Sequence, residues 1–484
     1  MLPAPIEIRG ERARRDLYEF VKLMWPVLEP GAPFVDGFHI RMICDALQAV
    51  TAGEVRRLII NVPPRHGKSN LVSILWPAWV WVTHPHRRWL FASYAQALAE
   101  RHSGACRHVI ESPDYRQLYG HGFQLAADAN QKSRFETNRG GARLATSVGG
   151  AATGEGGDII VIDDPLKIED ASSKLALADV IRSFDLTLST RLNNRQTGAI
   201  VLVCQRLNER DLAGHLLARG GWQHLCLPAE YDQRHPHISP DDPRSVDGQL
   251  LWPEMYGAAD IAELKEQLGS YGVASQLQQL PAPLTGGIFA KDRWCWYDPA
   301  WPPRCEQVII SVDLAYTGNT GSDYSVAQVW GVLGADKFLL HQAREKLSFR
   351  GQISMIRRVH ELTRERYSSA HSPGIYVEKT ANGAALIDQL GKEIPALIPV
   401  TPRGDKVTRA MAVSPQVEAG NIHLPGAANA SGTGYDPTCT PRWVQGFVEE
   451  TAGFPAAAYD DQVDAFTQAI TCLDQPGPRL RVLG

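Results

Sequence analysis

The chain has 484 residues, 44% hydrophobic and 21% charged, with a formal net charge of −4, the balance of an ordinary globular protein with ample core for two or three domains. No apolar run reaches the ~20 residues of a membrane span, ILWPAWVWV at 74–82 being too short and interrupted by a Pro, and MLPAPIEIRGERARR lacks the apolar centre of a signal peptide, so the protein is expected to stay where it is made. Eight scattered cysteines without a C-x-x-C pair exclude a disulfide framework or a zinc ribbon. The small net charge excludes a nucleic-acid coat protein, although residues 1–150 are basic (19 Lys and Arg against 13 Asp and Glu) and the rest acidic (30 against 40).

In chain order, residues 11–50 read as helical: RRDLYEFVKLMWPVL has an apolar stripe that breaks at Pro26, and HIRMICDALQAV has a second. The loop between them, Gly31 to Phe34, is placed to approach an adenine, with Phe34 and His39 as candidates, though both also suit a core. LIINVPPRHGKSN (58–70) then reads as strand, tight loop and helix start. Successive backbone N–H groups and the positive end of a helix hold a polyphosphate in such a loop. Pro64, Arg65, His66, Gly67, Lys68, Ser69 and Asn70 are expected around it, with Lys68 reaching the β- and γ-phosphates and Ser69 taking Mg²⁺. Val62 stands where G-x-x-x-x-G-K-[ST] has its first Gly, so Pro63-Pro64-Arg65 must shape the turn.

RRWLFASYA (87–95) reads as a strand, QALAERHSGACRHVIES as a helix, and RFETNRGGARLATSV (134–148) as a hairpin. Two further apolar strands follow, IIVIDDP (159–165) and GAIVLVCQRLN (198–208). Continuous apolar strands alternating with helices imply a parallel sheet covered on both faces. Asp163 and Asp164 end one of these strands, at the sheet edge where α/β folds bind ligands. Asp163 is expected to hold Mg²⁺ through water and Asp164 to polarise an attacking water, because two adjacent carboxylates are costly there without a metal or donors.

The stretch 228–305, rich in Pro, Trp and Tyr, reads as an interdomain connection with one helix. From Val308 come three meandering strands, a helix, a strand (GIYVEK), a helix (AALIDQLGKE) and a last helix from about residue 460, the order of an RNase H-type sheet. Asp313 and Glu378 sit inside apolar strands, and YDDQVDAFTQAI offers Asp460, Asp461 and Asp464 at a helix start, with Asp461 and Asp464 on one face. A strand Asp, a strand Glu and a helix Asp are the hard ligands that a two-metal phosphodiester site requires. Asp323 is a candidate accessory ligand.

These motifs together make the chain resemble the large terminase subunit of tailed bacteriophages, the motor and nuclease that packages DNA. The resemblance runs from about residue 15 to 472 and rests on NVPPRHGKSNL, FASYAQALAERHS, GGARLATSVGGAATGEGGDIIVIDDP, VCQRLNERDLAGHLL, SQLQQLPAPLTGGIF, VDLAY with SDYS, YVEKTANG, GDKVTRAMAVSPQVEAGNIHLP and YDDQVDAFTQAI. It implies an α/β chain with an N-terminal P-loop ATPase of parallel-sheet core (residues 1–230), a connecting region (231–305) and a C-terminal RNase H/resolvase-like nuclease (306–484). It implies ATP and Mg²⁺ as cofactors, with Mn²⁺ substituting at the nuclease site. Arg65 would sense the γ-phosphate, Gln205-Arg206 would couple hydrolysis to movement, and Asp313, Glu378 and Asp461 or Asp464 would hold the nuclease metals. Lys406 and Arg409 fall where a DNA backbone would be contacted.

The implied partners are double-stranded DNA, the portal protein and a small terminase subunit, with a ring of subunits on the portal and a possible monomer in solution. The implied location is the host cytoplasm and, transiently, the prohead portal, with no membrane and no place in the mature virion. Glu155 stands where relatives often carry Arg, so an arginine finger would have to come from Arg139, Arg143 or Arg206. The alternatives are a DNA-repair ATPase/nuclease and a prophage-derived portal- or DNA-binding protein that has lost catalysis.

Overall fold

The computed structural model describes the chain except residues 1–4, 151–153, 282–286, 316–323, 368–372, 380–386, 388, 391–393, 395–396, 403, 456, 458 and 475–484. Two compact units emerge, Met1–Lys265 with Ser270–Pro283, and Glu266–Gly269 with Leu284–Gly484.

The first unit is built on eight strands: β1 (Arg57–Asn61), β2 (Arg88–Ser93), β3 (Leu125–Asn130), β4 (Arg134–Thr137), β5 (Ala142–Ser147), β6 (Ile159–Asp163), β7 (Ala199–Cys204) and β8 (Gln223–Cys226). Their order is β3-β4-β5-β2-β6-β7-β1-β8. All neighbours from β5 to β8 are parallel, and β3 and β4 add an antiparallel edge. The continuous apolar runs have a direct cause. Alternate residues of each central strand point to opposite faces, and both faces are covered. Leu58, Ile60, Phe91, Val161 and Val201 pack in one core, while Ile59, Leu90, Ile160, Ile162 and Leu202 pack in another. Because β7 lies between β1 and β6, the loop after β1 and the carboxylates ending β6 meet at one carboxyl edge, two strand spacings or ~10 Å apart.

The helix Leu17–Leu28 differs from expectation, for it runs through Pro26 rather than breaking there. Pro26 falls in the last turn, where a missing N–H costs a single bond, and the Glu29 N–H still closes the end onto the Trp25 carbonyl at 2.8 Å.

The second unit holds β9 (Cys295–Tyr297), β10 (Gln307–Asp313), β11 (Ser325–Leu333), β12 (Asp336–Glu345), β13 (Gly374–Glu378), β14 (Leu397–Val400) and β15 (Ile422–Pro425), in the order β14-β13-β10-β11-β12-β15-β9. β10, β11 and β12 form an antiparallel meander, and β13 and β14 lie parallel to β10 on its other side. This is the RNase H-type order expected from the sequence. The helix Phe349–Arg366 supplies the crossover from β12 to β13. The helix Asp461–Asp474 buries Val463, Phe466, Ala469 and Ile470 in a core shared with Ile309, Trp330 and Leu339 of the sheet. The expected helix AALIDQLGKE lies mostly outside the described residues. No helix among the described residues is long and apolar enough to cross a membrane.

Candidate functional sites

The loop after β1 turns without the missing glycine. Val62 is fully buried in the core, and Arg65 and Gly67 take left-handed backbone conformations at φ 64° and 78°. A non-glycine residue held there costs ~1–2 kcal/mol, and strain of that kind concentrates at ligand sites. The Arg65 side chain is exposed, and the Tyr256 hydroxyl lies 3.5 Å from its carbonyl.

Beyond the turn the expected residues converge. The Lys68 Nζ stands 3.4 Å from Asp164 Oδ2, and the Ser69 hydroxyl donates to Asp163 Oδ1 at 3.2 Å. Ser73, one turn further along the same helix face, donates to Asp163 Oδ2 at 2.7 Å, and His102 Nδ1 lies 3.4 Å from that oxygen. Asp163 is 3% exposed. Burial pushes its carboxyl above the usual range, while the serine bonds, Lys68 and Arg143 pull it back. Asp164 is raised by burial too, against Lys68, and its own backbone is left-handed at φ 46°. The Gln205 N–H approaches its Oδ1 at 3.4 Å. His102 is held down to about 4 by burial and by Arg143, so it is neutral at physiological pH.

Other expected residues sit differently. His66 turns its ring from the loop mouth: Nδ1 bonds the Pro64 carbonyl at 2.8 Å, and the ring stacks on Tyr256 with centroids 5.1 Å apart. His39 is buried against His66 and Trp252, and Phe34 packs on Tyr18 and Trp25. The Asn70 amide bonds Glu29 at 3.3 Å. Pro64 supplies the carbonyl that fixes His66.

The three finger candidates separate by exposure. The Arg206 Nε bonds both Asp211 oxygens at 3.0 Å, and the pair is buried. Arg143 is 0% exposed, its guanidinium 3.5 Å from the centre of the Phe91 ring. Only Arg139 is exposed. Glu155 pairs with Arg134.

In the second unit, the carboxyl ends of β10 and β13 carry Asp313 and Glu378, one register step beyond the pair Val312 and Val377. The last helix is fixed to those ends by Gln468, whose amide donates to Ser311 Oγ at 2.9 Å, the Tyr376 carbonyl at 3.1 Å and the Val312 carbonyl at 3.3 Å. One turn before Gln468 stands Asp464, which is thereby brought to Asp313. Burial, then the charges of Asp464 and Glu378, drive the Asp313 carboxyl well above its ordinary value. Asp461 faces aside: its Oδ2 lies 3.4 Å from the Tyr324 N–H, and burial raises it to about 6. Of the two helix acids, Asp464 acts on Asp313 more strongly.

Asp464 is engaged by cations of its own unit. Lys406 Nζ is 2.6 Å from Oδ2 and 2.7 Å from Asp460 Oδ1, and Arg409 is 2.6 Å from Asp464 Oδ1. Among the described residues no three His, Cys, Asp or Glu side chains are arranged to hold a metal ion. The donor set is nonetheless that of a divalent-cation site, all oxygen and carboxylate-rich. Asp323 lies outside the described residues.

No family model matches the sequence, and no curated protein matches it. Solved structures do. The chain is similar to phage large terminases. A large terminase from a thermophilic bacteriophage is 12% identical, with a TM-score of 0.47, the match covering 78% of this chain and 87% of that one. The HK97 bacteriophage large terminase is 14% identical at a TM-score of 0.37, covering 93% and 100%. The large terminase nuclease from a second thermophilic phage, G20c, is 13% identical at a TM-score of 0.28, covering 39% and 98%.

Proposed function

We propose that this chain is a large terminase subunit, hydrolysing ATP to move double-stranded viral DNA through a portal and cutting concatemeric DNA at a metal-dependent site. The observation that carries this reading is the presence, in one chain, of two carboxylate groupings at the carboxyl edges of two different sheets. One lies beside a lysine-bearing loop, and in the other the charges of Asp464 and Glu378 act on Asp313. The sequence motifs support the same family.

At the first site Lys68 meets the β- and γ-phosphates, released from Asp164 as the nucleotide brings its own charge. Ser69 and Asp163 offer the oxygens for Mg²⁺. Asp164 orients the attacking water, and Arg65, exposed at the loop tip, approaches the γ-phosphate. At the second site Asp313, Glu378 and Asp464, with Asp461 at the margin, would hold Mg²⁺ or Mn²⁺. Bound there, such ions activate water and stabilise the leaving oxygen. The chain's own contribution is to set Asp313 and Glu378 at neighbouring strand ends, with the buried Asp464 acting on Asp313, a negative setting that favours a cation. Phosphate contacts make DNA binding largely independent of sequence and steeply salt-dependent. The proposed partners are the portal, a small terminase subunit and further copies in a ring.

Lys68→Ala is expected to abolish ATP turnover and leave plasmid nicking intact, and Asp313→Ala to do the converse. Wild-type cutting by Asp313→Ala with Mn²⁺ would remove the second site from this reading.

A further inference from the structure

Asp464 has both carboxylate oxygens taken by cations, Lys406 on one and Arg409 on the other, each at 2.6 Å. The carboxylate is only 5% exposed, whereas the Lys406 side chain is 47% exposed. Lys406 opens the helix Lys406–Glu418, the end at which the helix dipole disfavours a cation. It is held there by Asp464 at 2.6 Å and Asp460 at 2.7 Å. Lys406 and Arg409, three residues apart, share one face of that helix. They therefore leave Asp464, if they leave it, on the same side.

We infer that Lys406 and Arg409 are built-in counter-ions of Asp464, displaced from it when a divalent cation enters among Asp313, Glu378 and Asp464, and thereby freed to take a phosphodiester. This deepens the nuclease reading and rests on it. A divalent ion drawn to Asp464 competes with the ammonium and the guanidinium for the same two oxygens and repels both cations, so its binding weakens the ion pairs. By linkage, whatever cation opens them also strengthens polyanion binding, and the polyanion strengthens cation binding by the same factor.

The test is amine-reactive footprinting of the full chain, reading acetylation of Lys406 by mass spectrometry against the exposed Lys174 as internal reference, with Ca²⁺ binding followed in parallel by calorimetry. Ca²⁺ is expected to raise Lys406 reactivity several-fold, to have no such effect in Asp313→Asn, and a short duplex added with Ca²⁺ is expected to suppress it again. Lys406→Gln, whose exposed side chain makes it a tolerable change, is expected to bind Ca²⁺ about tenfold more tightly without DNA, the equivalent of one opened ion pair of ~1.4 kcal/mol. Ca²⁺ bound in an Asp313-dependent way with Lys406 reactivity unchanged would overturn the counter-ion inference alone. No Asp313-dependent Ca²⁺ binding would overturn the nuclease-site reading and the inference with it.

Discussion

Arg143 offers a perturbation whose sign is not obvious. Its guanidinium is fully buried, stacked on Phe91, and none of its three nitrogens has a hydrogen-bond partner among the described residues. Burial holds it down to about 10, well below the ordinary guanidinium value, and at ~1.4 kcal/mol per pH unit the charged form costs the fold ~3 kcal/mol. A base depressed on folding binds its proton more tightly when unfolded. The cost is therefore present in full at every pH below about 10 and fades only above it. Against it stands the ring contact, worth ~1–2 kcal/mol when desolvated; the attractions of Cys106 and Asp163 are already contained in the net shift. Arg143→Met keeps the length and drops the charge, so it is expected to stabilise the first unit by ~1 kcal/mol, raising its melting temperature by ~2 °C. Asp163, losing a nearby cation, would hold a proton to higher pH, so Mg-ATP binding would fail earlier on acidification. Urea denaturation at about pH 7, followed by tryptophan fluorescence, measures the first effect, and nucleotide titration between about pH 5 and 8 the second. Destabilisation beyond ~2 kcal/mol would refute the reasoning, since it would mean the guanidinium anchors the core.

The acids of the second unit predict a pH dependence. Asp313 is raised above its unfolded value, so the folded state binds its proton more tightly, and metal-free stability should decline as pH rises past ~4. In EDTA the melting temperature should fall between about pH 5 and 8 for wild type and less for Asp313→Asn; equal slopes would count against the cluster. Arg206→Lys replaces a buried fork on Asp211 with a point charge and should cost ~2–3 kcal/mol by denaturation, with Arg206→Met worse. Two glycines should part company on alanine substitution. A Cβ at Gly141 would stand 2.2 Å from the Pro85 carbonyl oxygen, an overpacking cost of several kcal/mol. Gly67 faces open space and would cost only its φ of 78°, ~1–2 kcal/mol by melting temperature.

The central strands were legible because sheets covered on both faces leave uninterrupted apolar runs in β1, β2, β6 and β7. β8 and β15 were not, being four residues long, with Gln223 and His224 diluting the first and Pro425 ending the second. The helices Lys406–Glu418 and Arg442–Gly453 also escaped the pattern, the first carrying Pro415 inside it. The loop after β1 and the paired acids Asp163 and Asp164 declared themselves locally. Their supports did not: His102 and Arg143 reach Asp163 only through the fold, and nothing in their own neighbourhoods marks them. Ser73 could have been found, since Ser69 and Ser73 are four apart on one helix. The turning of His66 onto Tyr256 depends on a ring almost 200 residues away. The cations on Asp464 are likewise long-range, and nothing near Lys406 or Arg409 in the sequence points to Asp464.

The three-way grip of Gln468 on Ser311, Val312 and Tyr376 has a consequence for synthesis. A growing polypeptide has the loop after β1 and Asp163–Asp164 in place roughly 300 residues before Asp464 is added. Folding proceeds from the amino terminus as the ribosome moves, so on the proposed reading a half-made chain could bind nucleotide while still unable to harm DNA. On that reading the capacity to cut arrives late, when the Gln468 amide and the apolar face of the closing helix settle against strands laid down long before it.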